Sequence, residues 1–234
     1  MLPKNPVFVA LDTADLNQAL AWAGALRHHV GGVKVGLEFF NGNGPDGVRR
    51  IVDLGLPVFL DLKFHDIPKT VAGAVRAVAG LGVAIVNVHA SGGSAMLVAA
   101  ATAAAEHGAG RPLVIAVTVL TSLDDDDLAS VGQAGPPASQ AERLARLTQS
   151  SGLDGVVCSP AEIALLRATC GDGFRLIVPG IRPAWASSGD QKRIMTPREA
   201  YDLGADILVI GRPITGADDP AAAAARIGEE LEIA

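Results

Sequence analysis

The chain has little from which to build disulfides, a thiolate metal cage or a nucleic-acid surface. Of its 234 residues only two are cysteine, Cys158 and Cys170, and neither stands at a metal-ligand spacing from another cysteine or a histidine. That excludes a disulfide framework, and two buried thiols in a reducing compartment are the expectation. Lysine and arginine total 19 against 25 acidic residues, a net charge of −6, and no basic block overrides the balance. General nucleic-acid affinity is therefore not expected. A small anionic substrate remains compatible, because it needs only locally placed arginines and backbone N–H groups. The start, Met1-Leu-Pro-Lys-Asn-Pro6, lacks the apolar core of a secretory signal, and apolar runs elsewhere are strand-length and broken by Gly, Asp or Pro. No membrane span is expected, and the expected location is the cytoplasm. A nucleotide-cofactor fingerprint is also missing: the Ser91-Gly-Gly93 turn lacks a Walker lysine and reads better as the start of a helix.

What is present describes an ordered globular protein, with 49% hydrophobic and 19% charged residues. The length suits one large domain spanning residues 1–234. Eight short β-branched runs predict strands at 7–12, 33–37, 58–63, 84–89, 113–120, 155–159, 176–180 and 207–211. Between them lie helix-like segments such as 16–28 after the capping-type Thr13, 67–80, 95–107, 138–150 and 160–169. The strands are apolar throughout, so both faces should be covered. Strand and helix alternating eight times in a chain of this length predict an α/β fold, a closed (β/α)8 TIM barrel, over an open doubly wound sheet.

In such a barrel the active site is at the carboxyl-terminal rim, and polar residues collect there. Asp12 ends the first run, Lys34 lies in the second, Asp61 and Lys63 end the third, and His89 ends the fourth. Thr121 and Ser122 follow the fifth, Arg182 the seventh and Arg212 the eighth. Asp61 and Lys63 should share a strand face, with Asp66 approaching from the turn that follows. An ammonium between two carboxylates suits chemistry better than stability, because partly buried ion pairs carry a desolvation cost. A salt-bridge network is the alternative, and for Asp12 alone a helix cap. His89 is set aside as an ordinary strand-end histidine. Gly211 and Arg212 suggest a phosphate site, since glycine lets a ligand approach the backbone and arginine offers a planar fork. The long polar loop after the seventh strand, residues 182–193, has the length of a lid.

Five ordered motifs then carry a family resemblance: Phe59-Leu-Asp-Leu-Lys-Phe-His-Asp-Ile-Pro68 with Thr70, Leu120-Thr-Ser122, Val178-Pro-Gly-Ile-Arg-Pro183, Asp190-Gln-Lys-Arg-Ile-Met-Thr-Pro197, and the segment from Gly204 to Thr215 ending Ile210-Gly-Arg-Pro213. Together they resemble the orotidine 5′-phosphate decarboxylase family over nearly the whole chain. Two departures are Lys69, where asparagine is expected, and Val178, where threonine is common.

The resemblance implies decarboxylation of orotidine 5′-phosphate to UMP with no cofactor and no metal. It makes Lys63 the proton donor, kept protonated by neighbouring carboxylates, which suits an acid and disfavours a Schiff-base nucleophile. It places Asp61 beside the substrate carboxylate, with Lys34 completing an alternating charge network. It assigns Asp12 to the ribose, Thr121 and Ser122 to the pyrimidine side, and Arg182, Gln191, Gly211 and Arg212 to the phosphate and its closing loop. Asp66 and Thr70 would serve a neighbouring subunit, which implies a homodimer with shared sites. The rival within the same superfamily is a magnesium-dependent sugar-phosphate decarboxylase or hexulose-phosphate synthase sharing the Asp-x-Lys-x-x-Asp core. A non-catalytic phosphosugar-binding barrel is the rival of another class.

Overall fold

Eight apolar segments pair side by side in sequence order and close on themselves. The computed structural model describes residues 3–133, 135–186 and 195–232. The strands are β1 (Val7–Ala10), β2 (Gly32–Gly36), β3 (Val58–Phe64), β4 (Ile85–His89), β5 (Leu113–Val117), β6 (Gly155–Val157), β7 (Arg175–Pro179) and β8 (Ile207–Ile210). All pairings are parallel, and β8 closes on β1 through Val7–Leu208 to Val9–Ile210. Around them run α1 (Leu16–Leu26), α2 (Leu37–Val52), α3 (Pro68–Ala79), α4 (Ser94–Ala105), α5 (Asp125–Ser130), α6 (Pro137–Ser150), α7 (Ile163–Cys170), α8 (Pro197–Asp202), α9 (Arg212–Thr215) and α10 (Pro220–Glu230). The predicted (β/α)8 barrel is the fold observed.

Period-two alternation divides the strand residues into two cores. Phe8, Ala10, Phe59, Ile85, Ile115, Ile177, Ile207 and Val209 fill the barrel interior. Residues of the other parity, such as Val7, Val9, Val33, Val35, Leu60 and Leu208, pack outward with the helices. A Cβ at Gly32 would lie 2.5 Å from the Phe8 ring, so this glycine yields its space to the phenylalanine. The inward parity then continues up the strands to Asp12, Lys34 and Asp61, which the fold therefore delivers to one rim.

Local chemistry moves several predicted boundaries. Helix α1 is capped by Asp15, whose carboxylate accepts from the N–H groups of Asn17 and Gln18, while Thr13 accepts from Asp15 N–H one turn earlier. Pro160 opens a 3-10 turn across which the Glu162 carboxylate accepts the Ser159 N–H at 2.8 Å, so α7 starts only at Ile163. Strand β5 stops at Val117, where Thr118 turns its hydroxyl onto the Val157 carbonyl. Both cysteines are buried and free. Among the described residues no helix is long and apolar enough to cross a membrane.

The amino-terminal end of the barrel is tied by two aspartates. Asp206 accepts from the Leu176 N–H at 2.9 Å and from Arg167 and Arg175 at 2.6 Å each. Asp154 accepts from the Val114 N–H at 2.8 Å and from both terminal nitrogens of Arg111. Replacing Asp206 by Ala removes the acceptor of the Leu176 N–H and the ionic partner of Arg167 and Arg175, although Arg167 keeps the carbonyls of Gly171, Phe174 and Gly204. The change should destabilise the fold by about 1–3 kcal/mol. Urea unfolding of D206A measures this, and a loss below about 0.5 kcal/mol would contradict the assigned role.

Candidate active site

At the carboxyl-terminal rim a cavity of about 300 Å³ opens between strand ends. Its floor is the top of the interior core, Ala10, Phe59, Val157, Ile177 and Val209. Its walls carry Asp12, Lys34, Asp61, Lys63, Thr121, Arg182, Gly211 and Arg212, eight of the sequence-predicted residues.

Four of these form a chain of alternating charge. Lys34 Nζ lies 3.3 Å from an Asp12 oxygen and 3.1 Å from Asp61 Oδ2. Lys63 Nζ lies 2.6 Å from the other Asp61 oxygen. Strands β1, β2 and β3 are neighbours in register, Gly36 facing Asp61, and this sets the spacing.

Asp61 is only 8% exposed. Burial favours its neutral form, but the charges of Lys34 and Lys63, with hydrogen bonds from Lys63 and Asn87, outweigh it and hold its pKa below the ordinary range. Burial likewise opposes the Lys34 charge, and the carboxylates of Asp61 and then Asp12 overcome it, raising its pKa. The partners shift in opposite directions, as an ion pair requires.

Two features of β3 escape a sequence reading. Asp61 and Lys63 lie within the strand, which continues to Phe64, and Lys63 adopts a left-handed backbone with φ 53°. Such a conformation costs a non-glycine residue about 1–2 kcal/mol and marks a place where surroundings override local preference. The second is Asn87, fully buried on β4. Its Nδ2 donates to Asp61 Oδ1 at 2.7 Å, and its Oδ1 accepts the Lys63 backbone N–H at 2.8 Å. An amide in the otherwise apolar run Ile85-Val-Asn-Val88 was the available signal.

The expected approach of Asp66 to Lys63 is not what the chain does. Asp66 lies on the exposed turn before α3, its carboxylate accepting the Ile67 N–H at 2.6 Å. The local centre is thus a carboxylate between two ammoniums. Thr70 and Ser122 are likewise exposed and, with Asp66, absent from the described residues lining the cavity. Gln191 lies outside the described residues. His89 packs its ring 5.5 Å from that of His65, and burial followed by the charges of His65 and Lys63 lowers its pKa.

Across the barrel, Arg182 is buried where the chain leaves and re-enters, its N–H donating to the Met195 carbonyl beside an Ile181–Met195 bridge. Trp185 carries the Arg226 guanidinium over its ring at 4.7 Å, fixing the near end of this segment to α10. A Cβ at Gly211 would meet Ala10 at 3.6 Å and Asp12 at 3.9 Å, ordinary contacts. Chain packing does not demand a glycine there, and Gly211 lines the cavity.

The fold and the rim site define a (β/α)8-barrel enzyme in which a partly buried chain of alternating charge faces an arginine-bearing wall. Residues 5–227 match the model of the Orotidine 5'-phosphate decarboxylase / HUMPS family. The chain is 57% identical to an orotidine 5'-phosphate decarboxylase of Rhodospirillum rubrum, over 98% of this chain and 95% of the relative, and 55% identical to one of Paramagnetospirillum magneticum, over 97% and 98%. It is also similar to the crystal structure of the enzyme of that name from Lactobacillus acidophilus, with TM-score 0.86, 41% identity and coverage of 97% and 99%. The chain belongs to the orotidine 5'-phosphate decarboxylase / HUMPS family.

The shifted groups set a pH window. The folded pKa of Asp61 lies below its ordinary 3.8, so its charge contributes stability above that value that is lost as pH falls through the folded pKa. That of Lys34 lies above 10.5, so its contribution is present below 10.5 and lost as pH rises through the folded pKa. NMR titration of the Asp61 carboxyl carbon should give a midpoint below 3.8 that moves up in Lys34→Met, since Lys34 is its largest favourable Coulombic partner. An unchanged midpoint in that variant would contradict the charge chain.

Proposed function

We propose that the chain converts orotidine 5′-phosphate to UMP and carbon dioxide as the last step of pyrimidine nucleotide synthesis, using its own side chains and no cofactor. The observation carrying this reading is the Asp61 carboxylate clasped by Lys34 and Lys63 on the wall of the cavity facing Arg182 and Arg212. The substrate is a dianionic phosphate joined through ribose to a pyrimidine carboxylate, and the cavity has charges suited to both ends.

With the phosphate on Arg182, Gly211, Arg212 and Gln191, the ribose falls to Asp12 and the base edge to Thr121 and Ser122. The substrate carboxylate then comes toward Asp61. Two carboxylates about 4 Å apart repel by about 4 kcal/mol at an effective dielectric of 20. Relief of that repulsion is worth roughly a thousandfold in rate, so it helps without sufficing. The bond from C6 to the carboxylate breaks, its electron pair stays on C6, and Lys63 gives that carbon a proton from Nζ. The resulting neutral amine regains a proton from water. An ammonium already 2.6 Å from Asp61 stabilises the developing negative charge as the carboxylate departs. Phosphate contacts far from C6 supply binding energy that holds the carboxylate against Asp61.

Asp66 and Thr70 are read as donations to the site of a second copy, forming a homodimer. Both are exposed, and Asp66 sits beside Ile67, a large apolar side chain 66% exposed. The metal-dependent relatives are the second reading. Both Asp61 oxygens already face ammonium or amide donors, which disfavours a divalent cation there.

Purified chain should release carbon dioxide from orotidine 5′-phosphate with undiminished rate in excess chelator, and Lys63→Ala should lower kcat by at least about a thousandfold. Activity lost on chelation favours the metal-dependent reading, and a fully active Lys63→Ala removes the proton donor. Mixing inactive Lys63→Ala and Asp66→Ala chains should restore part of the activity through heterodimers. No recovery despite verified subunit exchange would refute the shared site.

A further inference from the structure

The pairing of β3 with β4 is interrupted where the reacting groups sit. Leu60 pairs with Val86 and Phe64 with Val88, so four residue steps on β3 stand against two on β4. Asn87 alone faces the bulged stretch Asp61-Leu-Lys63. A bulge leaves backbone groups without ladder partners, and a buried N–H without a partner costs about 1–3 kcal/mol. Asn87 supplies the missing acceptor by a side chain, its Oδ1 taking the Lys63 N–H at 2.8 Å, while Nδ2 reaches Asp61 Oδ1 at 2.7 Å. That same Asp61 oxygen receives the Lys63 ammonium at 2.6 Å. One amide therefore ties together the backbone of the proton donor, held at φ 53°, and the carboxylate it pairs with.

We infer that Asn87 is a positioning residue for the reaction: its two hydrogen bonds hold the β3 bulge so that Lys63 and Asp61 present their charges in the arrangement the chemistry uses. Only a primary amide of this length does both tasks, since one end must accept from a main-chain N–H and the other donate to a carboxylate. A leucine keeps the branch at Cγ and has neither group, with bulkier methyls in their place. An aspartate keeps the acceptor but sets a carboxylate oxygen against Asp61. Asn87 does not line the cavity, and Arg182, Gly211 and Arg212 follow β7 and β8, so phosphate recognition is independent of it.

The inference rests on the decarboxylase reading of the same site. The test compares Asn87→Leu and Asn87→Asp with the unsubstituted chain, measuring kcat and KM for orotidine 5′-phosphate, UMP affinity and thermal unfolding. Displacing reacting groups by about 1 Å costs on the order of a hundredfold, so kcat should fall by roughly that factor in both variants. KM and the dissociation constant for UMP should stay within about threefold, because the phosphate end is untouched. Variants that fold and turn over as fast as the unsubstituted chain would overturn the inference, as would a parallel loss of kcat and UMP affinity, which would mark a general structural role. Failure of both variants to fold would equally reduce Asn87 to a core residue and overturn it. If the unsubstituted chain itself leaves orotidine 5′-phosphate untouched, the decarboxylase reading fails, an outcome distinct from all of these.

Discussion

A carboxylate shielded from water between two ammonium groups is the constraint on which this rim depends. Asp61 alone would be driven neutral by burial, and Lys34 alone would be driven the same way. Each keeps its charge because the other is there, so neither can be installed singly. The geometry needs three adjacent strands on which Lys34 starts one inward layer below Asp12 and Asp61, level with Ala10 and Phe59, so that its long side chain reaches up to both carboxylates. A parallel barrel in sequence order provides this without special loops. The interior core of Phe8, Phe59 and Ile177 beneath the cavity supports this in turn, by filling the barrel below the charges.

The two ends of the barrel use aspartate differently, and the partners reveal it. Asp154 and Asp206 each accept a strand N–H as well as arginine, so they close the ladder and hold neighbouring strands. Asp61 accepts from side chains only, and Asp12 adds its carboxylate to Lys34 while most of its side chain faces solvent. A carboxylate that satisfies main-chain donors is stabilising architecture. One that spends its oxygens on lysines at a cavity wall has charge available for chemistry, at a desolvation cost that the fold must absorb elsewhere.

Much of this was legible because barrel strands announce themselves as short apolar runs and because the rim side is common to all eight. Asp12, Lys34, Asp61, Lys63, Arg182 and Arg212 could thus be grouped from position alone. Helix α2 was harder to see, since Gly42, Gly44 and Pro45 interrupt its pattern and Gly44 takes φ 61° at a kink between two helical pieces. Asp66 was misplaced relative to Lys63 because the direction of a turn depends on what the chain packs against next: the Ile67 N–H captures its carboxylate. The left-handed Lys63 has no local signature at all. It follows from a partner on another strand, Asn87, 24 residues away, and only tertiary pairing brings them together.

Charge bookkeeping across the cavity explains why the two walls belong to one device. On the proposed reading, forcing a substrate carboxylate toward Asp61 costs about 4 kcal/mol, and the Asp61 wall cannot supply the compensation, since Lys34 and Lys63 are already engaged. Charged hydrogen bonds contribute about 1.5–3 kcal/mol each, so two arginines on phosphate offer roughly 3–6 kcal/mol, a sum that matches the cost. A site with the charge chain alone would repel its substrate, and one with the arginines alone would bind without reacting. The chain's net charge of −6 adds to the first problem, so on that reading the local arginines after strands β7 and β8 are the feature that admits an anion to an acidic protein.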